Sequence, residues 1–205
     1  MRLPNGVPLV NAHDITIKLG ERVLVTGPSG SGKSTLFRTV AGVWPFGSGS
    51  IVVPKDAKVM ILPQRPYFPI APLAAAVAYP AEPGHFDAAE VARLITAVGL
   101  PDLAARIDEE AHWNRMLSLG EQQRLGLARA ILHAPDYLFL DEATASLDEP
   151  AEAALYQLLE QRLSRAAIVS IGHRSTLAAF HGRGLSMGHD GRHYTLREGG
   201  VMAGA

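Results

Sequence analysis

Arg22-Val-Leu-Val-Thr26 runs directly into Gly27-Pro-Ser-Gly-Ser-Gly-Lys-Ser-Thr35, and this junction decides the fold. The first five residues form an apolar run of strand length. The next nine carry the spacing G-x-x-x-x-G-K-[ST] of a phosphate-binding loop. Gly27, Gly30 and Gly32 let the backbone curl, so that the stretch Gly27, Pro28, Ser29, Gly30, Ser31, Gly32 turns its N–H groups inward as an anion nest. A helix beginning near Lys33 and continuing through Ser34 and Thr35 adds the positive end of its dipole. It is amphipathic, with Leu36, Phe37, Val40 and Ala41 apolar. Lys33 has the reach for β- and γ-phosphates, and the Ser34 hydroxyl suits Mg²⁺. Strand, loop and helix together imply a bound nucleoside triphosphate.

Upstream, Asp14-Ile-Thr-Ile-Lys-Leu19 alternates polar and apolar residues, which predicts a half-buried strand turned by Gly20-Glu21 into the next one. Downstream, Ile51-Val-Val53 and Val59-Met-Ile-Leu62 read as two further strands. Pro63, Pro66, Pro69 and Pro72 then predict an irregular surface connection. Asp87 and Glu90 form a capping box ahead of Val91, Leu94, Ile95 and Val98, and Gly99 ends that helix. Ser118 and Glu121 form a second box ahead of Leu125, Ala128 and Leu132. Tyr137-Leu-Phe-Leu140 is a buried strand ending in Asp141-Glu142. Asp148-Glu-Pro150 opens another helix, and Ala166–Ile171 is the next strand, followed by Gly172-His173. Asp190-Gly191 marks a hairpin near the carboxyl end.

Apolar strands alternating with helices argue for a parallel α/β core. The fold class expected is α/β, a P-loop NTPase (RecA-like) core with an added antiparallel β layer and an inserted α-helical lobe. Residues 1–64 and 118–205 would form the core and β layer, and 65–117 the lobe. The 205 residues suit one such domain. With 19 basic and 20 acidic side chains and no basic run, nucleic acid is not an expected partner. There are no cysteines, which excludes disulfides and thiolate metal sites. The weakly polar stretch from Ile70 to Tyr79 is far shorter than the ~20 residues that cross a bilayer.

Five elements stand in fixed order after the phosphate loop: Gln64 after the strand Val59–Leu62, Leu117-Ser-Leu-Gly-Glu-Gln-Gln-Arg124, Leu138-Phe-Leu-Asp141-Glu142, Ser146-Leu-Asp148, and His173. In that order they resemble the Q-loop, signature, Walker B, D-loop and H-loop of an ATP-binding cassette (ABC) transporter nucleotide-binding domain. The resemblance covers essentially the whole chain. Gly42-Val-Trp-Pro-Phe-Gly-Ser-Gly49, Leu62-Pro-Gln-Arg-Pro-Tyr67, Trp113 shortly before the signature, and Gly172-His-Arg-Ser-Thr-Leu177 narrow it. They resemble subfamily D, the peroxisomal fatty-acyl transporters, and bacterial relatives of the YddA and SbmA/BacA type.

The resemblance implies ATP and Mg²⁺ as ligands. Asp141 would hold Mg²⁺ with Ser34 and Gln64, and Glu142 would activate the attacking water. His173 and Lys33 would contact the γ-phosphate. Ser118, Gly120 and Glu121 of a second copy would close over the nucleotide, with Asp148 at the same interface. Leu119 stands where a glycine is commoner, and Glu121 where glutamine is. The resemblance further implies a transmembrane domain as partner, in the same longer polypeptide, of which this soluble chain is the carboxyl-terminal ATPase part. The whole would sit at the cytoplasmic face of a membrane, the bacterial inner membrane. Tyr67, Phe68 and Ile70 fall where a helix of that membrane domain docks, and are expected to be partly exposed. No Phe, Tyr or Trp precedes Phe37, so the usual adenine-stacking aromatic is missing. Stacking contributes on the order of 1 kcal/mol, so weak nucleotide affinity and loose ATP/GTP discrimination are expected. Two rival readings are a soluble ABC ATPase acting on ribosomes or DNA and a P-loop phosphotransferase. The first usually needs two cassettes or long basic insertions, and the second has no use for the signature, Gln64 and His173.

Overall fold

The computed structural model describes residues 1–172 and 175–200. In chain order its elements are β1 (Val10–Ala12), β2 (Arg22–Thr26), α1 (Lys33–Val40), β3 (Val59–Leu62), β4 (Ala71–Pro72), α2 (Leu73–Ala78), α3 (Ala88–Ala97), α4 (Pro101–Ala104), β5 (Glu110–Ala111) and α5 (Trp113–Met116). There follow α6 (Leu119–His133), β6 (Tyr137–Asp141), α7 (Glu149–Arg162), β7 (Ala167–Ile171), a 3₁₀ turn (Ser175–Phe180), β8 (Arg183–His189) and β9 (Tyr194–Gly199).

Two compact units emerge. The first comprises Met1–Ile61, Asp136–Glu142 and the chain from Arg165 onward. Its seven-stranded sheet has the order β1-β9-β8-β2-β7-β6-β3. β2, β7 and β6 are mutually parallel, with Val25 and Asp141 both level with Ile171. Continuous apolar side chains on these strands are what a sheet covered on both faces requires. Val23, Val25, Phe37, Phe139, Val169, Ile171, Leu185 and Met187 form one core. Phe37 of α1 stacks edge-on against Phe139 of β6, centroids 5.0 Å apart. Burying a side chain of that size contributes about 2–3 kcal/mol, and here it seats α1 beneath the phosphate loop. Asp190 and Gly191 turn β8 into antiparallel β9, as the sequence indicates.

Two expected strands do not form. Residues 14–19 and 51–53 pair with no strand, Asp14 being a bend with φ 55° and Leu19 part of a turn, and Ile51, Val52 and Val53 are 49%, 89% and 41% exposed. Both segments line a mostly apolar cavity of about 1020 Å³ over Val25, Phe37 and Phe139. Alternation fits a side-chain pattern to a sheet, but a strand exists only where a neighbouring backbone accepts its hydrogen bonds. The antiparallel element is therefore the β8–β9 hairpin and the Arg2–Pro8 bridge, while β1 pairs with β9 in parallel.

The second unit comprises Leu62–Pro135 and Ala143–Ser164, so it includes α6 and α7 as well as the segment 65–117. That segment holds a short antiparallel pair, β4 with β5. Trp113, fully buried, donates from Nε1 to the Ala71 carbonyl at 2.9 Å. Arg129 of α6 is also buried and donates to the carbonyls of Tyr67, Ala76 and Val77 at 2.9, 2.8 and 3.1 Å. It thereby caps the carboxyl end of α2, whose last carbonyls have no helical partner. His133 adds a ring-nitrogen bond to the Ala78 carbonyl at 2.7 Å.

Candidate functional site

Within the first unit, the loop Gly27–Thr35 leaves the carboxyl end of β2, and Asp141 ends β6 two strands away, with β7 between them. Ligands of open α/β sheets gather at such strand ends. Gly27, Gly30 and Gly32 have φ of 146°, 75° and 92°, a region that side-chain-bearing residues rarely adopt. A Cβ on Gly32 would lie 2.6 Å from Val10 Cγ2, and one on Gly27 2.6 Å from Met187 Cβ. Loop conformation and close packing thus both demand glycine. Pro28, Ser29 and Gly30 are exposed, whereas Ser31 and Lys33 are buried.

The Lys33 ammonium donates to the carbonyls of Gly27 and Pro28 at 2.8 Å each, folding back over the loop. Burial lowers its pKa, while Glu142 and Asp141 push it back up. Ser34 Oγ donates to Asp141 Oδ1 at 2.8 Å, across 107 residues of sequence. Burial raises the Asp141 pKa and Glu142 repulsion adds to that, whereas the Ser34 bond, Arg38 and Lys33 oppose it. A desolvated carboxylate with a hydroxyl at its side is a hard-oxygen pair suited to Mg²⁺. Ser31 Oγ is buried and has no partner among the described residues. α3, α6 and α7 are each capped by a side chain, Asp87, Ser118 and Asp148 respectively. Among the described residues, α1 is the one helix of eight or more residues with no side-chain cap and no acid in its first turn. An orphaned hydroxyl and uncapped amides fit a phosphate group.

Glu142 follows Asp141 with φ 53°, a left-handed backbone, and its N–H donates to the Ile171 carbonyl at 3.2 Å. The strand therefore ends between the two acids, and their separation rests on this backbone turn as well as on alternation. His173 lies outside the described residues.

In the second unit the Ser118–Glu121 box is complete. The Ser118 N–H and Oγ reach Glu121 Oε2 at 2.8 and 2.7 Å, and the Glu121 N–H returns to Ser118 Oγ at 3.3 Å. Ser118 is exposed, and Gly120 sits where a Cβ would come within 3.4 Å of the Ser146 carbonyl. Asp148, also exposed, accepts from the Ala151 N–H at 2.8 Å. Gln64 is exposed and its carbonyl accepts from Gln123 Nε2 at 3.0 Å. The other end of the Gln123 amide accepts from the Ser146 N–H at 3.0 Å. Gln123, fully buried, thus ties the Gln64 turn to the turn before Asp148. Sequence reading passed over it, since the only signal was an amide inside an otherwise apolar helix face. Tyr67 and Ile70 are 61% and 62% exposed, as expected, but Phe68 is 1% exposed because it lies under the Arg129 guanidinium, 4.5 Å from its ring centre. No helix among the described residues is long and apolar enough to cross a membrane.

The sequence profile of the ABC transporter family matches residues 10–145. An uncharacterized ABC transporter ATP-binding protein of Haemophilus influenzae is 43% identical over 94% of this chain and 32% of its own length. ABC transporter D family member 1 of Arabidopsis thaliana is 34% identical over 98% of this chain and 16% of its own. The structure of a bacterial Atm1-family ABC exporter with ATP bound superposes with a TM-score of 0.74 at 27% identity, over 87% of this chain and 33% of that one. The chain spans between about a sixth and a third of the length of the curated relatives it matches.

Proposed function

Since this chain belongs to the ABC transporter family and is its ATP-binding, ATP-hydrolysing domain, we propose that it is the motor of a transporter whose membrane domain lies in the same polypeptide. On this reading the assembly would sit at the cytoplasmic face of a membrane, the bacterial inner membrane. Two copies close head to tail, each ATP held between Gly27–Thr35 of one and Ser118, Leu119, Gly120 and Glu121 of the other. The observation that carries this reading is the Ser34–Asp141 bond beside the uncapped start of α1.

Loop amides from Ser29 to Ser34, Pro28 having no N–H, and the Ser31 hydroxyl bind the β- and γ-phosphate oxygens. Lys33 exchanges its two carbonyl partners for phosphate, which costs little because each bond from the ammonium to a neutral carbonyl is replaced by one to a charged oxygen. Ser34 and Asp141 would hold Mg²⁺, which would neutralise charge on the phosphates. Glu142 takes a proton from water as the water oxygen attacks the γ-phosphorus and the bond to the β-phosphate oxygen breaks. His173 contacts the γ-phosphate and the water. The second copy's α6 N-terminus, with Asp148 beside its turn, completes the charge stabilisation. Exposed Tyr67 and Ile70 form the face for the membrane domain.

Light scattering on Glu142→Gln tests the reading. Mg·ATP should convert monomer to dimer, Ser118→Arg should prevent it, and phosphate release should fall by at least 100-fold relative to the parent chain. Turnover equal to the parent's would remove Glu142 from its role.

A further inference from the structure

Pro66, Tyr67 and Phe68 are held by their backbone atoms on two polar side chains. Asn114 of α5 accepts from the Phe68 N–H through Oδ1 and donates to the Pro66 carbonyl through Nδ2, at 2.8 Å each. Arg129 of α6 donates to the Tyr67 carbonyl between them at 2.9 Å. Pro66 and Phe68 are buried, whereas Tyr67 is exposed. The backbone is therefore pinned on both sides of the residue that solvent reaches.

Asn114 also donates from Nδ2 to Gln122 Oε1 at 3.0 Å. Gln122 is buried in the first turn of α6, and its own Nε2 donates to the carbonyls of Leu117 and Asn114 at 2.8 and 3.2 Å. Each amide thus uses both its hydrogens and its oxygen. Turning either one round would set oxygen against a carbonyl and nitrogen against another donor, so the network has one arrangement. Apolar side chains at 114 and 122 would bury without any such constraint. Leu117 immediately precedes Ser118, the cap of α6. A continuous series of bonds therefore leads from the backbone on either side of Tyr67, through Asn114 and Gln122, to the carbonyl before Ser118.

We propose that Asn114 and Gln122 are positioning residues for Ser118: they tie the segment presenting Tyr67 to the start of α6, so that the two move together when the nucleotide sandwich closes. This rests on the reading that Ser118 of one copy closes over the ATP of the other. The test uses the Glu142→Gln chain labelled with fluorotyrosine, the Tyr67 fluorine signal being assigned by its loss in Tyr67→Phe. Mg·ATP should form dimers and shift that signal. Gln122→Met leaves both Asn114 bonds to the segment and breaks the link to α6. It should raise the dimer dissociation constant about tenfold, with ATP affinity of the monomer within about twofold. In dimers restored at higher protein concentration, the Tyr67 shift should be smaller by about threefold or more. Asn114→Ala is the second variant. Adding Gln122→Met to it should weaken the dimer by no more than about twofold further, because links in series fail together. A full Tyr67 shift in Gln122→Met dimers would overturn the proposal, as would losses that multiply in the double variant. Loss of ATP affinity in parallel with dimerisation would overturn it too, since the nucleotide loop lies in the first unit and such a loss marks a general structural defect. Dimers of the Glu142→Gln chain with no Tyr67 shift would leave the sandwich standing and remove the positioning role. No dimers at all would remove the sandwich itself, and the positioning role with it.

Discussion

Replacing Arg129 by methionine should destabilise the second unit by about 3 kcal/mol. The guanidinium makes three bonds to buried carbonyls, those of Tyr67, Ala76 and Val77. Bonds from a charged donor contribute about 1.5–3 kcal/mol each, roughly 6 kcal/mol together. Against this, burial lowers the Arg129 pKa from 12.5 to about 10. At about 1.4 kcal/mol per pKa unit that is a desolvation cost of roughly 3 kcal/mol, and the difference is the net contribution. Methionine keeps the apolar stem over Phe68 but leaves all three carbonyls unmet. Lysine keeps the charge yet presents it from a single point, and should recover no more than half of the loss. The chain's two tryptophans make the assay specific, since Trp113 lies in the second unit and Trp44 in the first. In a Trp44→Phe background, urea unfolding followed by Trp113 fluorescence reads the second unit. A change below about 1 kcal/mol for Arg129→Met, or full recovery by Arg129→Lys, would refute the accounting.

Asp141→Asn should raise stability at pH 7 while weakening Mg·ATP binding. The native carboxyl pKa is raised, chiefly by burial, so the native state holds the proton more tightly than the unfolded chain. The resulting penalty is absent below the ordinary carboxylate pKa and complete above the raised one. The stability gain should therefore vanish on acidification, and a gain independent of pH in urea titrations would count against it. Ser118→Ala removes the acceptor of the Glu121 N–H and should cost about 1 kcal/mol in the same fluorescence assay; no change would mean the box is redundant. Gly32→Ala forces a side chain onto a φ of 92° and into Val10, and should abolish binding of a fluorescent ATP analogue; retained affinity would show that the loop can rebuild. With no aromatic residue before Phe37, dissociation constants for ATP and GTP should agree within about threefold in calorimetry, since stacking on the order of 1 kcal/mol is the discrimination forgone. A tenfold preference for ATP would reveal another adenine contact.

What could be read from the sequence was local. The strand–loop–helix at residues 22–40, the caps at Asp87, Ser118 and Asp148, and the Asp190-Gly191 hairpin each depend on residues a few positions apart. The structure contains all of them, though at Asp87 the side chain accepts from the Ala89 N–H rather than forming the expected box with Glu90. The segment 14–19 carried equally clear alternation and 51–53 an apolar run, but strand formation needs a partner from elsewhere in the chain. The same limit hid the long-range contacts. Arg129 looks like a solvated charge within a helix until carbonyls 52, 53 and 62 residues away in sequence meet it. His181 looks like one of eight histidines until Ser170 lies beneath it. The Ser34–Asp141 pairing was anticipated through their shared liking for Mg²⁺, so a chemical argument supplied what distance in sequence concealed.

The left-handed backbone at Glu142 sets thermal tolerance against turnover at a single codon. A residue with a Cβ in that conformation gives up about 1–2 kcal/mol relative to one without. A library randomised at position 142 and screened only for survival of heating should therefore enrich Glu142→Gly. Its winners would be longer-lived proteins from which the carboxylate assigned to activating water had been discarded. A thermostable form of this domain is better sought by leaving that residue under a second, activity-dependent screen and varying Ile51, Val52 and Val53 instead, where exposed apolar side chains have no catalytic part to lose.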